Sequence, residues 1–197
     1  MAGLGNPGDR YTGTRHNAGF EVIDALARTA PGGAVRVDRL DCRALTGRTR
    51  VGESPVLLAK PQTFMNCSGE SVKGLLNRYE IPLERFLVVV DDAALPVGRI
   101  RIRASGSSGG QKGLQNIIDC LGTNAFPRLR LGVAGAHLVQ SEDLADYVLA
   151  RFGKAERSLF DGAVGNACDA VISFLTSGLE TAMNTFNRPP EDPPTAQ

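Results

Sequence analysis

Residue types that would point to particular functions are scarce in this chain of 197 residues. It has no tryptophan, two histidines and four cysteines, and no two cysteines form a C-x-x-C pair. That spacing argues against a zinc site or a disulfide framework and favours reduced thiols in a cytoplasmic protein. The formal net charge is only +1, so a nucleic-acid partner would require a local basic patch. We find no signal-peptide pattern and no apolar run of membrane-spanning length, and we expect no membrane partner.

The rest of the composition is that of a folded α/β protein. Hydrophobic residues make up 42% and charged residues 22% of the chain, and the length suits one domain with a substantial core. Predicted strands and helices are interleaved, which favours a single α/β domain with a twisted, mixed β-sheet flanked by helices. We assign this domain to residues 1–188. The Pro-rich, acidic segment 189–197 has few apolar side chains, and we expect it to be a disordered tail.

Hydrophobic periodicity predicts the positions of the elements. The predicted helices cover residues 20–27, 68–79, 114–121, 144–152 and 156–175, with a last short helix before Pro189. The predicted strands cover residues 42–51, 55–60, 86–90, 97–103 and 129–133. The strand at 86–90 is continuously apolar, as expected of a buried strand, and it ends in Asp91 and Asp92. The strand at 97–103 alternates isoleucine with arginine, which predicts one basic, solvated face.

The first residues combine a glycine motif with a very short strand. Residues 3–8 match the G-x-G-x-x-G pattern of dinucleotide sites, but almost no strand precedes them and Pro7 delays the helix. A dinucleotide site is therefore disfavoured. Since Met1 falls where an interior strand should still be running, we expect either further apolar residues in the gene product or reduced stability of this chain.

Two features suggest chemistry without specifying it. His16 lies at a predicted helix start, where an imidazole that titrates near neutral pH is a candidate general base. A histidine that only holds the helix start fits equally well. The glycine-rich residues 105–113 lack the spacing of a P-loop, although backbone amides at a helix start can hold an anion.

Several motifs in a fixed order carry a family resemblance. They are GNPG and TRHN at residues 5–8 and 14–17, KPQTFMNCSG at 60–69, DD and LPVG at 91–92 and 95–98, and FPRLRLG at 126–132 after the glycines of 109–113. Together they resemble bacterial-type peptidyl-tRNA hydrolases over nearly the whole chain. The resemblance implies a single α/β domain, monomeric and without metal or other cofactor. Its implied activity is cleavage of the ester between a peptide and the 3′ ribose of tRNA.

The resemblance also implies roles for individual residues. Ester hydrolysis needs an activated water and a group that stabilises the oxyanion. His16 would be the catalytic base, and Asp91 would be the catalytic carboxylate that fixes its tautomer. The implied substrate-binding residues are Asn6, Tyr11, Met65, Asn66, Gln111 and Lys112. The implied tRNA-phosphate contacts are Arg103 and Arg130, whose planar guanidinium groups match phosphate oxygens.

Structural alternatives to these roles stay open. Asp91 could cap a turn, Asn66 or Ser68 could cap the helix at 68–79, and Met65 could be plain core. The two arginines could be solvated charges on a strand face.

One pair of residues departs from the family pattern. Gln111-Lys112 stand where the family commonly has His-Asn, which puts that side of the pocket in doubt. Lys112 is either a solvated lysine on the rim or a contact to phosphate at the acceptor end of tRNA.

Two other functions compete with the hydrolase. One is an RNA-binding protein on the same fold, similar to a chloroplast intron-splicing factor, which would not need a base and a carboxylate. The other is an esterase for a different substrate, which would not need the two arginines.

Overall fold

The computed structural model describes residues 1–135 and 143–188, so the predicted tail at 189–197 lies outside the described residues. Within them, helices cover both faces of one seven-stranded sheet. The strands are β1 (Ala2–Gly3), β2 (Arg39–Asp41), β3 (Ala44–Val51), β4 (Ser54–Pro61), β5 (Val88–Pro96), β6 (Ile100–Arg103) and β7 (Arg128–Ala134). The helices are α1 (Ala18–Thr29), α2 (Ser68–Arg78), α3 (Lys112–Leu121), α4 (Leu144–Leu149), α5 (Lys154–Ser177) and α6 (Leu179–Phe186).

The sheet is mixed, with the strand order β2-β3-β4-β1-β5-β7-β6. Strands β4, β1, β5 and β7 run parallel, whereas β2, β3 and β4 pair antiparallel, as do β6 and β7. The predicted α/β class and mixed sheet are confirmed. Although β1 is only two residues long, it is central, because Ala2 pairs with Ala59 on one side and Val88 on the other. The carboxyl ends of the parallel strands share one edge, which is where open α/β sheets bind ligands.

The apolar sequence of β5 is explained by helices on both sides of the sheet. Val88 and Val90 pack into a cluster with Val72 of α2 and Ile117 of α3. Val89 points to the opposite face, into the larger cluster that includes residues of α1, α5 and α6. Burial on both faces requires a strand without polar alternation. The strand at the sheet edge, β6, has only one buried face, so the alternation predicted for it is confirmed.

The predicted end of the buried strand at Val90 is wrong. Strand β5 continues through Asp91 and Asp92 to Pro96, with an irregular register against β7 between Asp92 and Pro96. Asp91 therefore lies inside the strand and not after it. Its backbone still pairs with β7, and its buried carboxylate is satisfied by side-chain hydrogen bonds. A polar residue inside a buried strand is tolerated when its hydrogen bonds are made.

Two other element ends differ from the prediction for local reasons. Helix α4 stops at Leu149, short of the predicted residue 152, because Arg151 leaves the helix to form an antiparallel bridge with Thr14. Strand β3 begins at Ala44 because Cys42 and Arg43, with φ of 45° and 59°, form the turn from β2. The short, exposed strand β2 lacks an apolar pattern and was not predicted.

Three properties bear on the class of protein. Among residues 1–135 and 143–188, no helix combines the length and the apolarity needed to cross a bilayer. The same ranges hold no group of three or more His, Cys, Asp or Glu side chains placed to bind a metal ion. All four cysteines are free thiols.

Candidate active site

A histidine and an aspartate from different elements meet beside β5. His16 lies in a 3₁₀ turn (Arg15–Asn17) directly before α1, and its Nδ1 is 2.8 Å from Asp91 Oδ2. Because an ionised carboxylate only accepts hydrogen bonds, Nδ1 carries the proton and Nε2 keeps a lone pair. In the described part of the chain, nothing else hydrogen-bonds the imidazole. Nε2 is therefore open to a water molecule.

Asn17 holds this turn against the glycine motif. The Asn6 backbone N–H donates to Asn17 Oδ1 at 2.8 Å, and Asn17 Nδ2 donates to the Asn6 carbonyl at 3.0 Å. This reciprocal pair satisfies backbone groups that the two-residue strand β1 leaves without a ladder partner. The GNPG and TRHN motifs thus form one structural unit that fixes His16 beyond the end of β1.

The Asn6 side chain is oriented by Met65. The Met65 backbone N–H donates to Asn6 Oδ1 at 2.8 Å, which leaves Nδ2 as the free end of the amide. Asn6 is only 7% exposed, and among the described residues no acceptor is bonded to Nδ2. A buried and preoriented donor of this kind suits a carbonyl oxygen on which negative charge develops.

Met65 and Asn66 bear on two of the alternatives. Met65 belongs to the core beneath α2 and α3, and it also lines the cavity beside His16, so its place in the core leaves a substrate contact open. Asn66 is exposed and lines the same cavity, and neither it nor Ser68 caps α2. Asn116 of α3 provides that contact instead, because its Oδ1 accepts from Gly69 N–H at 2.7 Å.

Gln111 links Asp91 to the start of α3. Its Nε2 donates to Asp91 Oδ1 at 3.0 Å, and its Oε1 accepts from Leu114 N–H at 2.6 Å. The same Nε2 lies 3.1 Å from Met65 Sδ. Gln111 is thus part of the cavity wall, with both ends of its amide bonded to protein groups.

Two buried arginines organise the glycine-rich loop before α3. Arg130 donates to the carbonyls of Ser107 and Ser108, at 2.9 and 3.0 Å, and to Asp92 Oδ2 at 3.1 Å. Arg128 is fully buried, and this burial lowers the pKa of its guanidinium to about 10. Its acceptors are the carbonyls of Gly106, Asn124 and Phe126. The loop that borders the cavity is therefore held through its backbone.

One cavity of about 590 Å³ collects most of the predicted site. It brings together His16, Asp91, Asn6, Tyr11, Met65, Asn66, Gln111, Lys112 and Arg130. Tyr11 is half-buried, and Lys112, the first residue of α3, is exposed. Arg103 is not among the described lining residues, because it lies exposed at the end of β6, opposite Arg128 in register. The volume suits a small group such as the end of a peptide or a nucleotide.

Known proteins share this chain's sequence over nearly its whole length. A family model described as peptidyl-tRNA hydrolase matches residues 1–194. The peptidyl-tRNA hydrolase of Caldanaerobacter subterraneus subsp. tengcongensis is 47% identical over 187 residues, which cover 95% of this chain and 98% of that protein. The chain belongs to the peptidyl-tRNA hydrolase family. The relative from Alkaliphilus metalliredigens, of the same name, is 44% identical with the same coverage.

Solved structures of peptidyl-tRNA hydrolases share the fold. The crystal structure of the enzyme from Acinetobacter baumannii superposes with a TM-score of 0.85 at 34% identity, and the match covers 94% of this chain and 92% of that one. The resemblance seen in the sequence motifs is thus confirmed at the level of family and fold.

In this member of the peptidyl-tRNA hydrolase family, helix α4 forms a wall of the cavity, and this wall was not predicted. Leu144, Val148 and Leu149 line the cavity, as does Phe64. Leu144 and Phe64 are 54% and 60% exposed, so this side of the cavity offers apolar surface to a bound molecule. In the sequence, Leu144 and Val148 lie one turn apart in a predicted helix, which indicates an apolar face. That pattern does not show which part of the protein the face covers.

Arg15 connects this wall to the turn that carries His16. Its guanidinium carbon lies 4.3 Å from the ring centroid of Tyr147 and 4.9 Å from that of Phe152. Its N–H groups donate to Glu156 and to the Arg151 carbonyl, each at 2.7 Å. The residue before His16 is thus buried against α4, the start of α5 and the segment between them. His16 and the cavity wall therefore belong to one packed unit.

Proposed function

We propose that this chain hydrolyses the ester that links a peptide to the 3′ ribose of tRNA and so returns the tRNA to translation. The observation that carries the proposal is the His16–Asp91 pair at 2.8 Å, in a chain that belongs to the peptidyl-tRNA hydrolase family. A protein that only binds RNA does not need a base held by a carboxylate. None of the comparisons favours the RNA-binding alternative.

In this mechanism, His16 Nε2 takes a proton from water, and the water oxygen attacks the ester carbonyl carbon. Asp91 keeps the proton on Nδ1 and stabilises the imidazolium that forms. The amides of Asn6 and Asn66 donate to the carbonyl oxygen as it becomes negative. The tetrahedral intermediate then breaks its bond to the ribose 3′ oxygen, which receives the proton from His16 Nε2. The products are the free peptide and tRNA with an intact 3′ hydroxyl.

We further propose that Tyr11 and Met65 border the peptide, while basic groups beside the cavity bind phosphate. Arg103 is exposed at the end of β6, and Arg130 connects that side of the sheet to the cavity. The net charge of +1 gives the protein no general attraction for RNA. In this proposal the local positive field that RNA requires comes from this patch, with Lys112 on the rim. Arg130 is ion-paired with Asp92 and bonded to the loop, so a phosphate would bind it in competition with Asp92, whereas Arg103 and Lys112 are exposed.

Single-turnover cleavage of a purified N-acylated aminoacyl-tRNA tests the proposal, with free aminoacyl-tRNA as the control substrate. The wild-type chain should cleave the former and spare the latter. His16→Ala should slow cleavage by about 10²–10⁴ while the circular dichroism spectrum and the tRNA affinity stay unchanged. Wild-type protein that binds tRNA without cleaving it would favour the RNA-binding function. Cleavage that is unaffected by Arg103→Ala and equally fast on simple esters would favour a general esterase.

We propose, in addition, that the catalytic domain comprises residues 1–188 and acts as a cytoplasmic monomer. Sedimentation equilibrium of the purified chain checks the monomer. Removal of residues 189–197 should leave the single-turnover rate unchanged, because the site residues lie in the described part of the domain.

A further inference from the structure

We infer that Gln111 is a positioning residue for the reaction, since its side-chain amide holds Asp91 in the orientation that keeps His16 a base. The inference rests on the proposed function. It is carried by the two hydrogen bonds of one amide group. Gln111 Nε2 donates to Asp91 Oδ1 at 3.0 Å, and Oε1 accepts from Leu114 N–H at 2.6 Å.

Helix α3 decides which way the amide faces. Leu114 N–H belongs to the first turn of α3 and needs an acceptor outside the helix, so Gln111 Oε1 must face it. The NH₂ end then points to Asp91, whose ionised carboxylate can only accept. Rotating the amide by half a turn would bring two donors together at Leu114 and two acceptors together at Asp91. Because Gln111 and Asp91 are 8% and 3% exposed, water cannot substitute for the lost partners.

Gln111 affects the orientation of His16 through the Asp91 carboxylate that both residues contact. With Oδ1 held by Gln111, Asp91 presents Oδ2 to His16 Nδ1–H at 2.8 Å. The donor is neutral and does not titrate, so it stabilises the ionised carboxylate without adding charge to the site. A carboxylate with one oxygen unbound would be able to rotate, and the imidazole would lose its fixed orientation.

The variant Gln111→Glu separates this role from simple capping of α3. The new carboxyl group can still accept from Leu114 N–H, so the helix cap is kept. Beside Asp91, however, one of the two carboxyl groups must have a raised pKa. When protonated, the new group donates to Asp91 Oδ1 as the amide does. When ionised, it repels Asp91 and supplies no donor.

The rate ratio of this variant to wild type, measured by single-turnover cleavage, should therefore depend on pH. We expect it to be near one at about pH 5.5 and to fall by about tenfold or more at about pH 8.5. Gln111→Met, which removes both amide ends, should be about ten- to hundredfold slower with tRNA affinity changed less than about twofold. A Gln111→Glu ratio that stays constant over this pH range would overturn the inference.

Gln115→Glu is the matched control. Gln115 is exposed one turn further along α3 and also donates its amide to an aspartate, with Nε2 2.8 Å from Asp119 Oδ1. The same substitution there adds the same charge and breaks the same kind of bond, away from Asp91. Its rate ratio to wild type should not vary with pH.

NMR titration of the imidazole nitrogens tests the contact without any enzyme assay. The chain has two histidines, so the substitution His137→Gln leaves the signals of His16 alone. In that background, Gln111→Glu should move the pH at which the His16 nitrogen signals change to a higher value than in the unsubstituted protein, because an added negative charge beside Asp91 stabilises the imidazolium. An unchanged titration midpoint would overturn the inference. Failure of the wild-type chain to cleave peptidyl-tRNA would contradict the proposed function. The titration would still test whether Gln111 contacts Asp91, because it needs no substrate.

Discussion

Replacing Asp91 with asparagine should move the proton of His16 to the wrong nitrogen. Asp91 accepts from both His16 and Gln111, whereas an asparagine amide has one acceptor and one donor end. In one arrangement, the asparagine oxygen accepts from Gln111 and the asparagine NH₂ faces His16 Nδ1. That nitrogen must then be an acceptor, with the proton on Nε2. If the asparagine oxygen faces His16 instead, its NH₂ meets the NH₂ of Gln111. Gln111 cannot rotate to relieve this contact without abandoning Leu114 N–H.

The size of the effect follows from these two arrangements. In the productive arrangement, the asparagine oxygen faces His16 and the proton stays on Nδ1. This arrangement leaves a buried donor without a partner, at a cost of about 1–3 kcal/mol. Loss of the carboxylate charge also removes a charge-assisted bond to the imidazolium, about 1.5–3 kcal/mol more. The sum of about 2.5–6 kcal/mol corresponds to about 10²–10⁴ in rate, since 1.36 kcal/mol is tenfold. Asp91 is 3% exposed, so solvent does not offset the loss.

Single-turnover cleavage measures the rate, and NMR of the imidazole nitrogens in the His137→Gln background identifies the tautomer. Asp119→Asn is the control, since Asp119 is an exposed aspartate of α3 that is also bonded to a glutamine amide. A loss of less than about tenfold for Asp91→Asn, or an imidazole that keeps its proton on Nδ1, would refute the reasoning.

A second substitution checks the same argument in the opposite direction. Adding Gln111→Glu to Asp91→Asn exchanges the amide and the carboxyl group. The ionised carboxylate can accept from the asparagine NH₂ and from Leu114 N–H, which lets the asparagine oxygen face His16 Nδ1–H. We expect the double variant to cleave about tenfold faster than Asp91→Asn alone, although Gln111→Glu slows the wild type. Losses that simply add would show that hydrogen-bond order does not set the tautomer.

Other predictions concern stability, RNA binding and thiol reactivity. Gly19→Ala should destabilise the fold by about 1–3 kcal/mol or more, because an added Cβ would collide with the backbone of Leu4. Gly162→Ala, in open space on α5, should stabilise it by about 0.5–1 kcal/mol, and urea unfolding checks both. Lys112→Gln should make the slope of log tRNA affinity against log salt shallower by about 0.7–0.9; an equal slope would leave Lys112 as a rim residue. Burial raises the pKa of the Cys168 thiol to about 11, so mass spectrometry should find it modified at neutral pH only after unfolding.

Local patterns predicted the elements well where burial decides which side chains are apolar, on one face in β6 and on both faces in β5. The alternation of isoleucine and arginine in β6 and the apolar run of β5 both follow from their positions in the sheet. The end of β5 was misjudged because the first polar residue after an apolar run, Asp91, is paired in the sheet and bonded by side chains. No local pattern reports such partners, since they come from residues far away in the chain.

Some residues of the site could likewise be predicted from local motifs, whereas others depend on distant parts of the chain. His16 and Asp91 were predicted from motifs whose order is specific to a family, and the structure brings them within hydrogen-bond distance. The role of Arg15 was not predicted, because its partners on α4 and α5 follow it by more than a hundred residues. Charge and position in a motif make an arginine look like a phosphate contact or a solvated residue. Only its burial between two aromatic rings shows that it joins the turn of His16 to the cavity wall.

The hydrogen bonds that orient His16 converge on Asp91 from two sides. From one side, Leu114 N–H donates to Gln111 and Gln111 donates to Oδ1; from the other, His16 Nδ1–H donates to Oδ2. The two bonds of Gln111 have only one possible polarity, because they run from a backbone N–H to a carboxylate, and the bond of His16 has one because an ionised carboxylate only accepts. The first turn of α3 also favours negative charge near it. The ionised Asp91 carboxylate keeps the lone pair on His16 Nε2 free, and a helix that starts in a different part of the sequence fixes the orientation of that carboxylate.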